Sequence, residues 1–369
     1  MIKSIEIKNF RCFKETKVSG FSSINLFGGM NNSGKTTLLE AIFININPSS
    51  DNIIFLHRII RGEKLGIAKS KPEILWNNIF HQQNKKQEVL LNSIDKDNHE
   101  CNTTIYCNEE YSDLIDFKKD IEDRIGINDA NLLDELNSNL PSEKSKRSVL
   151  HINSSKNGKI YKNTLMASES GIIAKNNNSS NENINFITAL QKLSNSSLAR
   201  EYEKYIFDEG KSIILETFRE IDPTIEDIEV FSFAEPTLYI KRKDENKMPI
   251  GLFGDAFNKI ASFIIYMMNN PNSIILIDEI ENGIHYSNHK NLWEMLFKLS
   301  KKHKIQIFST SHSLEMIRAF SEVSEKYHEE DSSYFEVAKN KKTGLIKGFK
   351  HDAKTLSFEL KNGITFRGE

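Results

Sequence analysis

Gly29-Met30-Asn31-Asn32-Ser33-Gly34-Lys35-Thr36 decides the fold, because it fits the pattern G-x-x-x-x-G-K-[ST] at every fixed position. Glycines at 29 and 34 permit backbone conformations that a Cβ forbids, so successive N–H groups can turn toward phosphate oxygens. Lys35 supplies a full positive charge for the outer phosphates, and the Thr36 hydroxyl suits magnesium. Asn31, Asn32 and Ser33 span the two glycines, and Thr37 follows in the first helical turn; all are expected to bind the same ligand. The flanks give the context this pattern needs. Ser23-Ile24-Asn25-Leu26-Phe27 reads as a strand, and Leu38, Leu39, Ile42 and Phe43 recur at helical spacing.

Far along the chain, Ser273-Ile274-Ile275-Leu276-Ile277-Asp278-Glu279 is an apolar run that ends in two carboxylates. A buried parallel strand delivers such acids to the C-terminal edge of a sheet, where a phosphate loop also opens. Asp278 is then expected to hold Mg²⁺, and Glu279 to accept a proton from the attacking water. Adjacent residues face opposite sides of a strand, but the second acid can turn inward where the strand ends. Lys304 to Ser313 reads as a further buried strand ending in His312, beside the same edge. His285 is open between a contact with the site and packing at the start of a helix.

Composition bounds the rest. With 369 residues, 38% hydrophobic and 27% charged, the chain has the balance of a soluble globular protein. Its apolar runs fall short of the roughly 20 residues that cross a bilayer. Met1 to Ile7 alternates like a strand and not like a secretory signal, so a cytoplasmic location and no membrane partner are expected. The formal charge of −2 disfavours nonspecific binding to phosphate backbones and leaves a local basic patch possible. Cys12, Cys101 and Cys107 are odd in number and lack C-x-x-C spacing, which fits reduced structural thiols.

Ile2 to Phe10 reads as a strand, with further strands around Val89 to Leu91 and Thr103 to Tyr106. Glu109 to Leu136 has helix-like spacing, and the Asn-, Ser- and Lys-rich stretches between Asn153 and Asn183 read as exposed loops. Asn185 to Phe218 carries helical periodicity, read as two helices broken near Ser194-Asn195-Ser196 and ended by Asp222-Pro223. The expected organisation is an N-terminal lobe over 1–184, an inserted helical subdomain over 185–228 and a C-terminal lobe over 229–369.

Together these motifs resemble the SMC-like and ABC-type ATPases. The resemblance implies an α/β P-loop NTPase fold, with a mixed and parallel sheet around the Walker A helix and ATP and Mg²⁺ as cofactors. It makes Glu281 to His285 the D-loop and His312 the switch histidine; Lys35, Glu279 and His312 are the catalytic set. Asn9-Phe10-Arg11 looks like the first strand of RecF-like proteins, which implies that Arg11 approaches the nucleotide. Gly251-Leu252-Phe253-Gly254-Asp255-Ala256-Phe257-Asn258-Lys259 is similar to the S-x-G-D-G signature of overcoming-lysogenisation (OLD-like) ATPases, implying that Gly254 and Asp255 bind the phosphate of a neighbouring subunit. Phe253 stands where a serine is usual, and Ala256 replaces the second glycine. Gln82 and Gln83 are the candidates for the Q-loop.

Phe186-Ile187-Thr188, leading through a helical pair to Glu220 to Ile228, and a short β-rich tail ending in Leu360 to Arg367 are similar to AAA_15 and AAA_21 ATPases of phage defence loci. That likeness implies a homo-oligomer in which ATP is sandwiched between subunits. It further implies a sensor or scaffold role, as in PARIS-type systems, with a separate TOPRIM-like nuclease and a phage protein as trigger. The alternative is a RecF-like repair or maintenance ATPase that binds DNA. A transporter ATPase is disfavoured by the missing LSGGQ.

Overall fold

The computed structural model describes residues 1–60, 71–108, 147–168, 171–177, 183–188, 194–328 and 331–362. At its centre lies a six-stranded sheet in the order β16-β15-β3-β14-β13-β9. Its strands are β3 (Ile24–Gly28), β9 (Ile184–Ile187), β13 (Ile274–Ile277), β14 (Gln306–Thr310), β15 (Ser332–Lys339) and β16 (Ile346–His351). All pair in parallel except β16, which returns antiparallel along one edge. Parallel strands covered on both faces read as continuous apolar runs, which is why Ile24 to Phe27 and Ile274 to Ile277 carry the clearest strand signals.

Successive residues send their side chains to opposite faces, and the two faces have separate cores. Ile24, Leu26, Ile275, Ile277 and Ile307 join one apolar cluster. Phe27, Leu276, Phe308 and Phe335 join the other, with Leu38, Leu39 and Ile42 of helix α1 (Lys35–Ile46) and Ile53 of the short helix α2 (Ser50–Phe55). Each fully buried Ile, Leu or Phe contributes about 1.5–3 kcal/mol, so the sheet is fixed from both sides.

A seven-stranded antiparallel sheet, β2-β1-β4-β5-β6-β7-β8, lies beyond α1. It comprises β1 (Ile2–Phe10), β2 (Phe13–Ser19), β4 (Val89–Asp95), β5 (Glu100–Asn108), β6 (Arg147–Lys156), β7 (Lys159–Ser168) and β8 (Gly171–Asn177). The loops expected between Asn153 and Asn183 are thus strand over most of the described residues there, while residues 169–170 and 178–182 of that stretch lie outside the described residues. Asn157 and Gly158 both have positive φ, 50° and 75°, and join β6 to β7 in the two-residue turn that matches strand twist. Asn153, Lys162 and Thr164 lie on the more exposed face, while Ile152, Leu165 and Ala167 are buried together with the polar Ser154 and Asn163. Asn45 ties α1 to this sheet: its amide donates to the carbonyls of Leu91 and Cys101, each at 3.0 Å, and the Cys101 thiol donates back to the Asn45 carbonyl.

The helical reading of Asn185 onward fails at its start. Ile184 to Ile187 is the edge strand β9, where Phe186 packs edge-on against Phe43 of α1 at 5.7 Å. The helices begin at α3 (Asn195–Glu209), capped by Ser194, and break at Gly210 before α4 (Lys211–Arg219). Gly210 supplies the turn with φ 87°. Both helices share a core with a small sheet of β10 (Ile225–Ser232), β11 (Pro236–Arg242) and β12 (Met248–Pro249), and with α5 (Asp255–Asn269). Two helices complete this layer, α6 (His289–His303) and α7 (Leu314–Ser324).

The tail also differs from expectation. After β16, Asp352 accepts from the Thr355 N–H and starts helix α8 (Ala353–Lys361), which buries Leu356. The expected helix over Glu109 to Leu136 and the final residues through Arg367 lie outside the described residues. Among the described residues, no helix is long and apolar enough to cross a membrane.

Candidate active site

The loop after β3 is shaped by its glycines and its neighbours. Gly29 has φ +133°, and a Cβ there would strike the Val337 carbonyl of β15. Gly34 has φ +98°, with the Cys12 thiol and the Phe13 ring each 3.1 Å from where its Cβ would stand. Gly34 also heads α1 without a side-chain cap, so the first-turn amides and the positive end of the helix face the loop. Asn31 and Asn32 are exposed, whereas Ser33 and Thr37 are buried.

A residue outside the motif is equally constrained. Gly28 sits beneath Tyr334, and any Cβ would overlap the tyrosine ring and hydroxyl. Gly28→Ala is expected to destabilise the fold by about 1–3 kcal/mol through overpacking. Denaturant unfolding checks this; a midpoint equal to wild type would show that Tyr334 gives way freely.

Lys35 is only 4% exposed, and its ammonium donates to the carbonyls of Gly29 at 2.8 Å and Met30 at 2.7 Å. Burial lowers its pKa to about 8, although Asp278, Glu281 and Glu279 pull the other way. Asp278 is the hub of the site. Its carboxylate accepts from the Thr36 hydroxyl at 2.9 and 3.1 Å and from the Thr310 hydroxyl at 2.7 Å. Hydroxyl and carboxylate oxygens are the hard donors that magnesium takes, so this pair fits the ion the motif implies.

Thr310 works in two directions. While donating to Asp278, its hydroxyl accepts the Glu279 N–H at 2.8 Å, fixing the turn at which the strand ends. Glu279 has φ 49°, a left-handed value uncommon for a residue with a side chain, which breaks the strand's alternation directly after Asp278. Burial first, then the charges of Asp278 and Glu281, raise the Glu279 pKa against the opposing pull of Lys259 and Lys35. A carboxylate poised in that way is suited to general-base work.

The strand expected to reach His312 stops at Thr310, so His312 stands in the loop just beyond β14. Burial and the charge of Lys35 lower its pKa, with Glu281 and Asp278 opposing; these charges bring Lys35, the acids and His312 into one field. The His312 N–H donates to Glu281 Oε1 at 2.6 Å. From α5, Lys259 donates to the Asn282 carbonyl at 2.7 Å, with Ile280 and Glu279 carbonyls at 3.3 and 3.4 Å. Burial lowers its pKa to about 8 as well, against Glu281 and Glu279. Sequence reasoning gave no individual role to Thr310, Glu281 or Lys259, although each lies inside a stretch it singled out: the strand toward His312, the D-loop and the signature-like segment.

Other expected residues have partners of their own. Arg11 Nε pairs with the fully buried Glu40 of α1 at 2.8 Å, which anchors the β1–β2 turn to the loop's helix. Gln82 and Gln83 occupy a 3-10 turn beside Arg11, where His81 Nδ1 contacts the Arg11 carbonyl at 2.9 Å. Gly254 has φ 86° and precedes α5, whose first residue is Asp255. Phe253 fills the apolar side there, 5.4 Å from the Phe257 ring and capped by the Arg242 guanidinium at 4.6 Å. His285 is exposed and caps a short turn, its Nδ1 2.9 Å from the Ser287 hydroxyl.

A glycine-lined loop between a buried parallel strand and a helix, facing an acidic strand end, defines a P-loop ATPase. More narrowly, the chain belongs to the AAA_15 family, the AAA ATPase domain, which matches residues 1–317. It is 27% identical over 360 residues to an ATP/GTP phosphatase of Helicobacter pylori, covering 88% of each chain. A shorter match, 49% identical over 41 residues, links 11% of the chain to 12% of the DNA replication and repair protein RecF of Lactococcus lactis. Among solved structures, the SMC head bound to the C-winged helix domain of ScpA aligns with a TM-score of 0.48 and 12% identity, over 95% of this chain and 97% of that one.

Proposed function

We propose that this chain hydrolyses ATP with magnesium at the site centred on Asp278. Loop amides from Gly29 to Gly34 and the Lys35 ammonium hold the phosphates, while Thr36 and Asp278 hold the metal. Magnesium, when bound, neutralises part of the phosphate charge. Glu279 accepts the proton of the attacking water, and His312 stabilises the outer phosphate. The observation that carries this reading is the meeting of Thr36 and Thr310 on the Asp278 carboxylate, within the field shared by Lys35, Glu279 and His312.

The second half of each site comes from another copy, through Gly254 and Asp255 at the start of α5, with Arg11 at the nucleotide's near side. Helix N-termini bind phosphate readily, which supports this use of α5. Mass measurement in solution tests it: Glu279→Gln protein with ATP and magnesium should shift from monomer to dimer or larger, and Asp255→Lys should abolish the shift. A monomer under all conditions would contradict the sandwich.

In the cell we assign the chain to antiphage defence, as a sensor or scaffold that holds a separate TOPRIM-like nuclease until a phage protein is met. This rests on the likeness of its signature segment and Glu220 to Ile228 to defence ATPases. The short RecF match favours the other reading, a DNA-binding repair ATPase. Copurification with a nuclease supports the first; ATP-enhanced, salt-sensitive binding to DNA supports the second.

A further inference from the structure

The loop that follows the acidic strand end is held from two sides. Lys259 of α5 grips its carbonyls, and Glu281 within it reaches across to the backbone of the next strand's loop, accepting the His312 N–H at 2.6 Å. Inside the loop, the Asn282 N–H donates to the Glu279 carbonyl and the Ile284 N–H to the Glu281 carbonyl, both at 3.0 Å, so the Glu281 backbone has little freedom. The ends of the two strands are further joined by the Ile280 N–H, which donates to the Thr310 carbonyl at 3.0 Å. On its far side the histidine loop is tied to β3, where the Ser311 N–H donates to the Phe27 carbonyl at 3.0 Å. Ser311 is thus fixed by the phosphate-loop strand, and His312 by Glu281.

We infer that Glu281 is a positioning residue for the ATPase reaction, whose carboxylate oxygen fastens the His312 backbone in register with Asp278 and Glu279. The inference rests on the ATPase reading for its kinetic consequence, and on geometry alone for the contact. A hydrogen bond from a backbone amide to a carboxylate is short and about twice as strong as a neutral one. A displacement of about 1 Å at a catalytic group can cost about 100-fold in rate. The requirement is for an acceptor at a given reach, so glutamine in its place keeps the bond, while aspartate, one methylene shorter, loses it and retains the charge.

The test uses the full chain with Glu281→Gln, Glu281→Asp, Glu281→Ala, His312→Ala and the Glu281→Ala/His312→Ala double variant. Expected are a kcat about 10- to 100-fold lower for Glu281→Asp and Glu281→Ala, ATP KM within about threefold of wild type, and near-normal turnover for Glu281→Gln. The double variant should be no slower than His312→Ala alone, because both changes remove one device. Multiplying losses, a KM effect without a kcat effect, or a Glu281→Gln as slow as Glu281→Asp would overturn the assignment. Residue-resolved hydrogen exchange at the His312 amide separates this claim from the ATPase reading. Faster exchange in Glu281→Asp but not in Glu281→Gln supports the contact whether or not the wild type turns over ATP. Equal exchange in both refutes it. Should Glu281→Ala fail to fold, the Asp and Gln pair decides by the same criteria.

Discussion

Glu279→Gln slows ATP turnover by about 100- to 10,000-fold while nucleotide binding survives. The factor is that of removing a positioned general base, and the retention of binding follows because the phosphate contacts are assigned to the Gly29–Thr36 loop. The pH dependence gives a second signature. Only the ionised carboxylate can take the proton of water, and burial together with Asp278 and Glu281 raises the Glu279 pKa. Activity should therefore fall on the acid side at a pH above the ordinary glutamate range, and that limb should vanish in the residual rate of Glu279→Gln. Steady-state rates from acid to neutral pH, with nucleotide binding followed by calorimetry, check both. Turnover within a few fold of wild type would show that another group deprotonates the water.

Lys35→Met has a comparable effect by a different route. Loss of a charge-assisted bond to phosphate removes about 1.5–3 kcal/mol of binding, roughly 10- to 100-fold in affinity, and loss of a preorganised cation at the developing charge costs a further 100- to 1,000-fold or so in kcat. The wild type should also reveal this lysine through protons. Burial lowers its pKa to about 8 in the free protein, so the lysine loses its proton as the pH rises past that value. Phosphates restore the charge, so binding takes up protons at pH 8.5 and markedly fewer at pH 7. Calorimetry in buffers of different ionisation enthalpy measures the uptake, and Lys35→Met should abolish it. The same linkage acts on folding. Because the folded pKa lies below the unfolded one, the unfolded chain binds more protons between about pH 8 and 10.5, and stability without nucleotide rises through that window. Uptake that is absent at pH 8.5 would place the lysine's titration elsewhere.

Much of this site is legible in the linear chain because its chemistry needs particular residue types at fixed spacing. The phosphate loop, Asp278, Glu279 and the strand leading to His312 each sit in a short stretch whose neighbours share one element. Legibility fell where burial depends on distant partners. Residues 153–177 are polar along one face and read as loops, yet their alternating apolar residues and the Asn157-Gly158 turn form β6 to β8 against a sheet begun at β1. Ile184 to Ile187 continued a helical pattern by chance, and pairing with β13 overrode it.

What the sequence alone determined, then, is the strand, loop and helix of residues 23–43 and the acids that end β13, because local backbone freedom and apolar runs dictate them. Tertiary structure alone decided that Thr310 bonds to Asp278, that Glu281 accepts the His312 N–H and that Lys259 grips the loop carbonyls. Those contacts join residues on separate strands and helices. Only the parallel stacking of β3, β14 and β13 brings their ends within hydrogen-bond reach, and no local spacing encodes that distance.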